Sequence, residues 1–491
     1  MKWYTSESEP SRDTGLSYIH VGDVQGFRTH GKPPRAPRAE VVDFLSKTTS
    51  KINIGNWRNP PATTEKLLLN SLAQQFAKPK STYTPVDQDI EKMASRMDSF
   101  ELTPSLLNPT IENLRWLVER AIRQLKLDSS PGYLMNKHYA LNSQVLENEY
   151  SVVVNVAAER LYAMMHEDFS TLTDRQLLER GLRDPVRPFN KNEPHPERKW
   201  TLERYRLISG LSLIDQICER VLLSDFTFAT KRRYPHLPTL IGIGFTDEMN
   251  TEIYELVLGT PGSKKSGDVS GWDSCVNPQM TIGFTRVVIS KCLNATKQWE
   301  LALHNWSNVT SRALYVLPSG KLIRPVNPGQ VLSGSYVTTC WNSVMRATVA
   351  YKFSDEVFDA GDDAIEASSL TVEELIEAYA SVNINLREVC TIEEGKFSFC
   401  SHTYSTKDGQ VVASLDSYEK ALYKFFCNDT VTDEIKHALF HELRHNEPKI
   451  VDSIQKTIDF AYPCYGVIKG KYIYCTKEIL DKYGEQQIKE E

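Results

Sequence analysis

Apolar positions recur at helical spacing over residues 63–76, after a break at Pro60-Pro61. They do so again over 109–127, where Ile111, Leu114, Leu117, Ala121 and Leu125 fall on roughly one face. The same period predicts helices over 143–167 and 212–228. Asn277-Pro278, an N-cap followed by a first-turn proline, opens another that runs to about residue 293. Thr371-Val372-Glu373-Glu374 is a capping box that starts a further helix, to about residue 380. Alternation of apolar and polar positions predicts strands over 203–209 and 395–404, and a hairpin over 313–325 turning at Ser319-Gly320. Prolines exclude a helix across 183–199 and leave 31–38 extended. The stretch 259–267 reads as a loop. Residues 415–491 read as mostly helical, with a Tyr-rich strand segment within 462–475 and a charged, fraying end over 486–491.

The 491 residues suffice for about three average domains or one large multi-lobed unit, and the 41% hydrophobic share supports a sizeable core. No run of eighteen apolar residues is present for a membrane span. Met1 to Glu7 lacks the apolar core of a signal peptide. Nine scattered cysteines, an odd number with no Cys-x-x-Cys pair, point to reduced thiols in a cytoplasmic setting rather than to a zinc module or a disulfide framework. The net charge of −6 does not suggest a nucleic-acid binder, so positive charge for such a partner must be local. No internal repeat is evident.

The candidate chemistry centres on Gly361-Asp362-Asp363, flanked by short apolar runs as in a tight β-hairpin. Adjacent carboxylates at a hairpin tip repel each other. They are tolerated when solvated, or when a divalent cation lies between them and a third carboxylate. Asp268 near a strand end and Asp273 at the turn before the Asn277 helix could face one cavity, with Gly271 permitting the bend; an Asp-rich turn is the plainer reading. Ser333-Gly334 reads as a flexible helix opening. Thr338 and Asn342, four apart, share a helix face, and either satisfy each other and the backbone or read a sugar hydroxyl. Lys191, Arg198, Lys199, Arg204 and Arg206 form a local cation cluster. It suits a channel neutralising triphosphate and template backbone, or a solvated face paired with Glu193, Glu197 and Glu203. Ser130-Pro131-Gly132 ends a small-residue turn that could receive a phosphate or simply end a helix.

Taken in order, these features resemble the RNA-dependent RNA polymerases of positive-strand RNA viruses. The pattern is Asp-x4-Asp at Asp268 and Asp273, then Ser-Gly-x3-Thr-x3-Asn at Ser333, Gly334, Thr338 and Asn342, then Gly361-Asp362-Asp363. Lys191 to His195, Arg204 to Ser209, Ser212 to Gln216, Ser130-Pro131-Gly132 and Phe399-Cys400-Ser401-His402 are similar to the sobemovirus and polerovirus group. The resemblance covers roughly residues 125–405.

It implies an α+β fold with the right-hand polymerase arrangement: a small antiparallel palm sheet and a helical thumb. The implied division is 1–80 as an extension bridging fingers and thumb, 81–262 as fingers, 263–299 as palm, 300–332 as a return of the fingers, 333–410 as the rest of the palm and 411–491 as thumb. Nucleotidyl transfer of this kind uses two divalent ions about 3.5–4 Å apart, here Mg2+ with Mn2+ as substitute, and Asp268, Asp362 and Asp363 would hold them. Asp273 and Asn342, with Thr338, would recognise the ribose 2′-hydroxyl, and Ser333-Gly334 would sense base pairing. Lys191, Arg198, Arg204 and Arg206 would line the triphosphate path. Ser130, Pro131 and Gly132 would steer the template, and Phe399, Cys400 and Ser401 would grip the primer end. Family members often carry a lysine after the helix that follows Gly-Asp-Asp; the nearest cations here are Arg387 and Lys396, and the role of general acid stays open between them.

The implied partners are RNA template and primer, ribonucleoside triphosphates, other viral replicase proteins and, for protein-primed initiation, a genome-linked protein. The implied location is the host cytoplasm, with membrane recruitment through partners. A reverse transcriptase and a non-catalytic RNA-binding protein are the alternatives. Asn342 speaks against the first and the three separated carboxylates against the second.

Overall fold

The computed structural model describes residues 17–487 apart from 28, 30–33, 233, 236, 237 and 469. The N-terminal Met1–Glu7 stretch, residues 31–33 of the expected extended run and residues 488–491 of the expected fraying end therefore lie outside the described residues. Residues 34–38 are neither helix nor strand, and the last helix is Lys477–Gln487.

The element that positions the chemistry is a four-stranded antiparallel sheet. Its spatial order is Leu386–Thr391, Lys264–Val269, Asp363–Ala367, Glu356–Ala360. Ala364 pairs with both Asp359 and Gly267, so alternation assigns each side chain to a face. Val357, Asp359, Glu366 and Lys265 point to one face. Phe358, Ile365, Ser266 and Asp268 point to the other.

The first face is covered by the helices Thr338–Ala350 and Val372–Ser381; Val357 and Ala364 join the main core there, beside a buried polar group. Arg346, fully buried, donates to Glu366 Oε1 at 2.7 Å and to the Tyr379 hydroxyl at 2.5 Å. Tyr379 and Ser354 complete the shell of Glu366 at 2.7 Å each. A buried pair of this kind costs desolvation, which these hydrogen bonds offset; Arg346 Nε alone finds no partner among the described residues. The second face packs Phe358 and Ile365 against Ile253, Phe397, Phe399 and Tyr404.

A second core lies apart from the main one. Val41, Leu45, Ile52 and Ile54 from the N-terminal part pack on Leu422, Phe426, Leu443, Ile454 and Ile458 near the other end of the chain. Trp57 and Arg58 then pair with Pro196 and His195. The segment 191–206 is thus tied to both ends, and Glu193 fixes it. Its buried carboxylate meets Lys191 at 3.2 Å, Arg206 at 3.1 Å and Lys420 at 3.0 Å.

Most predicted helices form where the period places them. Thr64 caps Glu65–Phe76, Asn277 caps Pro278–Lys291, and Thr371 makes the expected capping box. The hairpin at Ser319-Gly320 joins Tyr315–Val316 to Lys321–Pro325. The helix expected over 109–127 ends at Ile122.

Four expectations fail. A short helix, Glu197–Thr201, lies in the Pro-rich stretch; Pro196 precedes it as N-cap, where a proline costs no hydrogen bond. The strand expected over 203–209 begins only at Leu207. Glu203 is left-handed (φ 49°) and the Arg204 amide donates back to Lys199 O, so Arg204 and Arg206 do not share a strand face. The loop expected over 259–267 is already strand from Lys264, because neighbours pair it on both sides. The strand expected over 395–404 breaks at Cys400 and Ser401, both at positive φ, into Phe397–Phe399 and His402–Lys407.

The expected mostly helical end is interrupted by a three-stranded sheet that contains the Tyr-rich hairpin Cys464–Ile468 and Lys471–Cys475. The helices Asp247–Gly259 and Lys297–Ser311 and the strand Leu386–Thr391 were not anticipated.

The Glu193 clasp has a pH signature. Burial works to raise its carboxyl, but Lys420, Arg206 and Lys191 together lower it to about 2 from an ordinary 4.5. A depressed folded value contributes stability that is fully present above the unfolded value and is lost as pH falls through the window down to the folded one. The melting temperature of the wild type should exceed that of Glu193→Gln at about pH 7, and the gap should close progressively as pH falls below about 4.5. A gap independent of pH down to about pH 3 would show that the clasp contributes no ionic stability.

Candidate active site

Gly361 and Asp362 form the two-residue loop between paired Ala360 and Asp363. Gly361 sits at φ 76°, the positive value that this kind of hairpin asks of its first loop residue. Its amide donates to Ser343 Oγ at 2.8 Å, which ties the tip to the helix behind. The neighbouring strand pairs Gly267 with Ala364, so Asp268, one residue on, comes alongside Asp363. Asp268, Asp362 and Asp363 therefore lie at one end of the sheet.

These carboxylates repel one another. Asp362 is exposed at the tip of the hairpin; loss of hydration, then the charge of Asp268, raises its carboxyl above the ordinary range. Burial, followed by Asp362 and Asp268, pushes Asp363 up to about 6. Asp268 is held by Arg387, which donates to Oδ2 from two nitrogens at 2.9 and 2.6 Å. Among the described residues, no three His, Cys, Asp or Glu side chains are drawn closely enough together to hold an ion. The donors nonetheless fit a hard divalent cation, being oxygen ligands whose mutual repulsion such a charge would relieve.

Asp273 lies on the one-turn helix Trp272–Cys275 rather than on the turn before the Asn277 helix. Burial, then Asp362, raises it to about 6, with Asn342, Arg206 and Lys78 opposing. The Asn342 amide donates to Asp273 Oδ1 at 3.3 Å and accepts from Trp272 Nε1 at 3.0 Å. Trp272 thus fixes which way the amide points and aims its NH2 group at Asp273.

Thr338 is placed differently. Its hydroxyl donates to Leu332 O at 2.8 Å and Ser335 O at 2.9 Å, so it closes the preceding turn. Ser333-Gly334 is part of that turn rather than of the helix. Ser333 Oγ accepts from the Ser209 amide at 3.0 Å, and Gly334 lies so close to Ser209 O that a Cβ would collide with it. Glu219, buried, accepts from Ser335 Oγ, the Tyr336 amide and Trp306 Nε1, and so anchors the turn from below.

Of the cation cluster, Arg206 is near enough to Asp273 and Asp362 to lower both. Lys191 and Arg206 share Glu193, while Arg198 and Arg204 are exposed on and after the short helix. Arg387 is engaged with Asp268, and Lys396 is exposed in the turn before Phe397.

The outer stretches differ from expectation. Pro131 and Gly132 are buried; Pro131 O accepts from the Leu213 amide at 2.8 Å, and Gly132 (φ 74°) abuts Leu211 O. Only Ser130 of the three is exposed. Phe399 is 3% exposed within the core under the sheet, so it offers no surface for a primer. The left-handed Cys400-Ser401 turn stands nearer the chemistry, with the Cys400 thiol raised by burial and then by Asp363.

Sequence reasoning missed Lys78 and Lys80. Lys80 donates to Ser274 O at 2.7 Å and also to Gly329 O, beneath the Asp273 turn, and burial lowers its ammonium to about 8. A Lys-Pro-Lys segment carries no signal that distinguishes it from a solvated linker.

The family described as viral RNA-directed RNA-polymerase matches residues 29–254 and 276–417, well over half of the chain. The chain is 26% identical over 417 residues to "Protein P1-P2" of pea enation mosaic virus-1, covering 78% of this chain and 33% of that protein. It is 28% identical to "Replicase polyprotein P2AB" of southern cowpea mosaic virus, covering 63% of this chain and 33% of that protein. To the "RNA-directed RNA polymerase" of mushroom bacilliform virus it is 27% identical, covering 73% and 87%. The chain spans about a third of the length of the polyprotein relatives it matches. With the family match covering well over half of the chain, in two segments that flank residues 255–275 and of which the second includes the acidic hairpin, the chain belongs to the viral RNA-directed RNA-polymerases.

Proposed function

We propose that this chain synthesises RNA on an RNA template, joining ribonucleoside triphosphates to an RNA 3′-hydroxyl to copy a positive-strand viral genome. The observation that carries the reading is the convergence of Asp268, Asp362 and Asp363 at one sheet end, with the oriented Asp273–Asn342 pair beside them. Asp268, Asp362 and Asp363 would hold two Mg2+ ions, or Mn2+ in their place. Such ions supply, when bound, activation of the attacking hydroxyl and neutralisation of the triphosphate. Arg387 would release Asp268 as that charge arrives, since a guanidinium and a metal ion compete for the same oxygen.

The protein's own groups do the rest. Arg206, Arg204, Arg198 and Lys191 offer charge-assisted contacts to phosphate oxygens. Asp273 accepts a hydrogen bond from the ribose 2′-hydroxyl and the Asn342 amide donates one, so the sugar meets both complements. Ser333-Gly334, seated on Ser209, and Thr338, closing that turn, hold the floor of the nucleotide site rather than touch the sugar. Ser130 and the Cys400-Ser401 turn are the parts of the outer stretches accessible to template and primer.

In right-hand terms, the four-stranded sheet would be the palm, 81–262 and 300–332 the fingers, and 411–491 the thumb. The N-terminal segment would join fingers and thumb, a reading supported by the core it shares with residues 418–462 and by the pairing of Trp57 and Arg58 with Pro196 and His195. RNA template and primer, nucleotides and further replicase proteins are the proposed partners, including a genome-linked protein where initiation is protein-primed. No described helix is long and apolar enough to cross a membrane. Recruitment to membrane-associated complexes in the host cytoplasm would then run through partners.

Primer extension with purified protein tests the metal site. Asp362→Ala should keep the wild-type fold by circular dichroism and lose nucleotide addition by about a thousandfold or more. Undiminished extension by the folded variant would contradict the assignment.

Sugar selection gives an independent check. A site built to hydrogen-bond a hydroxyl penalises the analogue lacking it, because its polar groups are left unpaired. Asn342→Ala should lower kcat/KM for a ribonucleotide far more than for the matched deoxyribonucleotide, narrowing their ratio by about tenfold. An unchanged ratio would remove Asn342 from sugar reading while leaving the metal site standing.

A further inference from the structure

The segment after the helix Glu65–Phe76 runs directly along the turn that bears Asp273. Its backbone is fixed at several points: Ser81 N donates to Cys275 O at 2.7 Å and Thr82 N to Val382 O at 3.0 Å. Asn277 Nδ2 donates to Ser81 O at 2.7 Å and Tyr83 O at 2.8 Å. Two lysines leave this strap with opposite fates. Lys80 spends its ammonium on backbone carbonyls beneath the turn. Lys78 passes over Gly271, so close that a Cβ at that left-handed glycine would collide with the ammonium.

Among the described residues, no hydrogen bond or ion pair engages the Lys78 side chain. It is half-buried, and its electrostatic neighbours are Arg204, Arg387, Asp273 and the Cys275 thiol. Burial, then Arg204, lowers its hold on the proton, with Arg387 acting the same way and Cys275 and Asp273 opposing. A half-buried ammonium over Gly271, with two guanidiniums among its electrostatic neighbours, favours an anionic partner. Beyond Asp273, the chemistry that suits this group of cations is a phosphate. Since Arg387 also reaches Asp268, an anion held by these cations would border the acidic cluster itself.

We propose that Lys78 is a phosphate-binding residue of the nucleotide site, delivered by the N-terminal strap and taking, with Arg204 and Arg387, the triphosphate of the incoming nucleotide. This rests on the polymerase reading and adds to it a binding residue from outside the 191–206 cation cluster. Gly271 then has a role beyond the bend: it leaves the space through which the ammonium reaches the cleft. The strap also makes nucleotide affinity depend on a segment remote in sequence from the acidic residues.

Single-nucleotide incorporation kinetics on a defined primer–template test this, with inorganic tripolyphosphate as a sugarless competitor. Lys78→Ala should raise KM for every nucleotide by about tenfold, with kcat changed by less than about threefold. It should raise the inhibition constant of tripolyphosphate by the same factor and leave the ribose-to-deoxyribose preference intact. Lys78→Arg should recover most of the loss. Should Lys78→Ala fail to fold, Lys78→Gln, which keeps length and polarity, carries the same comparison. Wild-type KM and tripolyphosphate inhibition in the neutral variants would overturn the inference while leaving the polymerase reading intact, as would a fall in kcat alone. Absence of incorporation by the wild type would overturn both.

Discussion

Mutual repulsion among Asp268, Asp362 and Asp363 is the constraint on which the rest of this structure depends. Left to themselves, three carboxylates on adjoining strands would spread into water. Here the backbone prevents that, because the two-residue loop at Gly361 and the pairing of Gly267 with Ala364 leave the side chains little freedom. Burial first, and that repulsion after it, raises the carboxyls of Asp362 and Asp363. Arg387 offsets part of it at Asp268. The remainder is an unmet demand for positive charge, which is the property the proposed chemistry requires.

Holding such a tip rigid needs support from behind, and the support is itself polar. The buried Arg346–Glu366–Tyr379 group braces the second strand of the hairpin against two helices, and Ser343 grips its loop. A similar arrangement stabilises the floor of the proposed nucleotide site. Arg160 bridges Asp184 at 2.9 Å and Asp215 at 2.6 Å, while Glu219, four residues further along the same helix as Asp215, fastens the Ser335-Tyr336 turn. Networks of this kind, though Arg346 Nε is left without a partner among the described residues, resist deformation, since moving one member strands the others. The residues from 212 to 219 thus shape the site without entering it.

Local chemistry made part of this legible in the sequence. The Gly361 hairpin, the Asn277 cap and the Thr371 capping box each depend on residues adjacent in the chain, and each forms where its signal lies. The gathering of Asp268, Asp273, Asn342, Asp362 and Asp363 was also readable, because their order and spacing carry a family pattern. What failed was decided by distant contacts. Alternation at 203–209 is real, yet the Arg204 amide is committed to Lys199 O and the strand starts late. The resemblance puts Phe399 at the primer end, but the core beneath the sheet claims it. Pro131-Gly132 looks like a receptive turn, but backbone from the Leu211–Leu213 stretch already fills it. Lys78 and Lys80 had no local signal, since only the folded chain brings them beside Asp273.

The most direct measurement of the central claim is single-nucleotide addition to a primer on RNA templates that differ in one templating base, with each of the four ribonucleotides in turn and with Mg2+ present or chelated. The account predicts that only the complementary nucleotide is added efficiently on each template, and only when the divalent ion is present. Addition that ignores the templating base, or that persists undiminished without divalent ions, would contradict it.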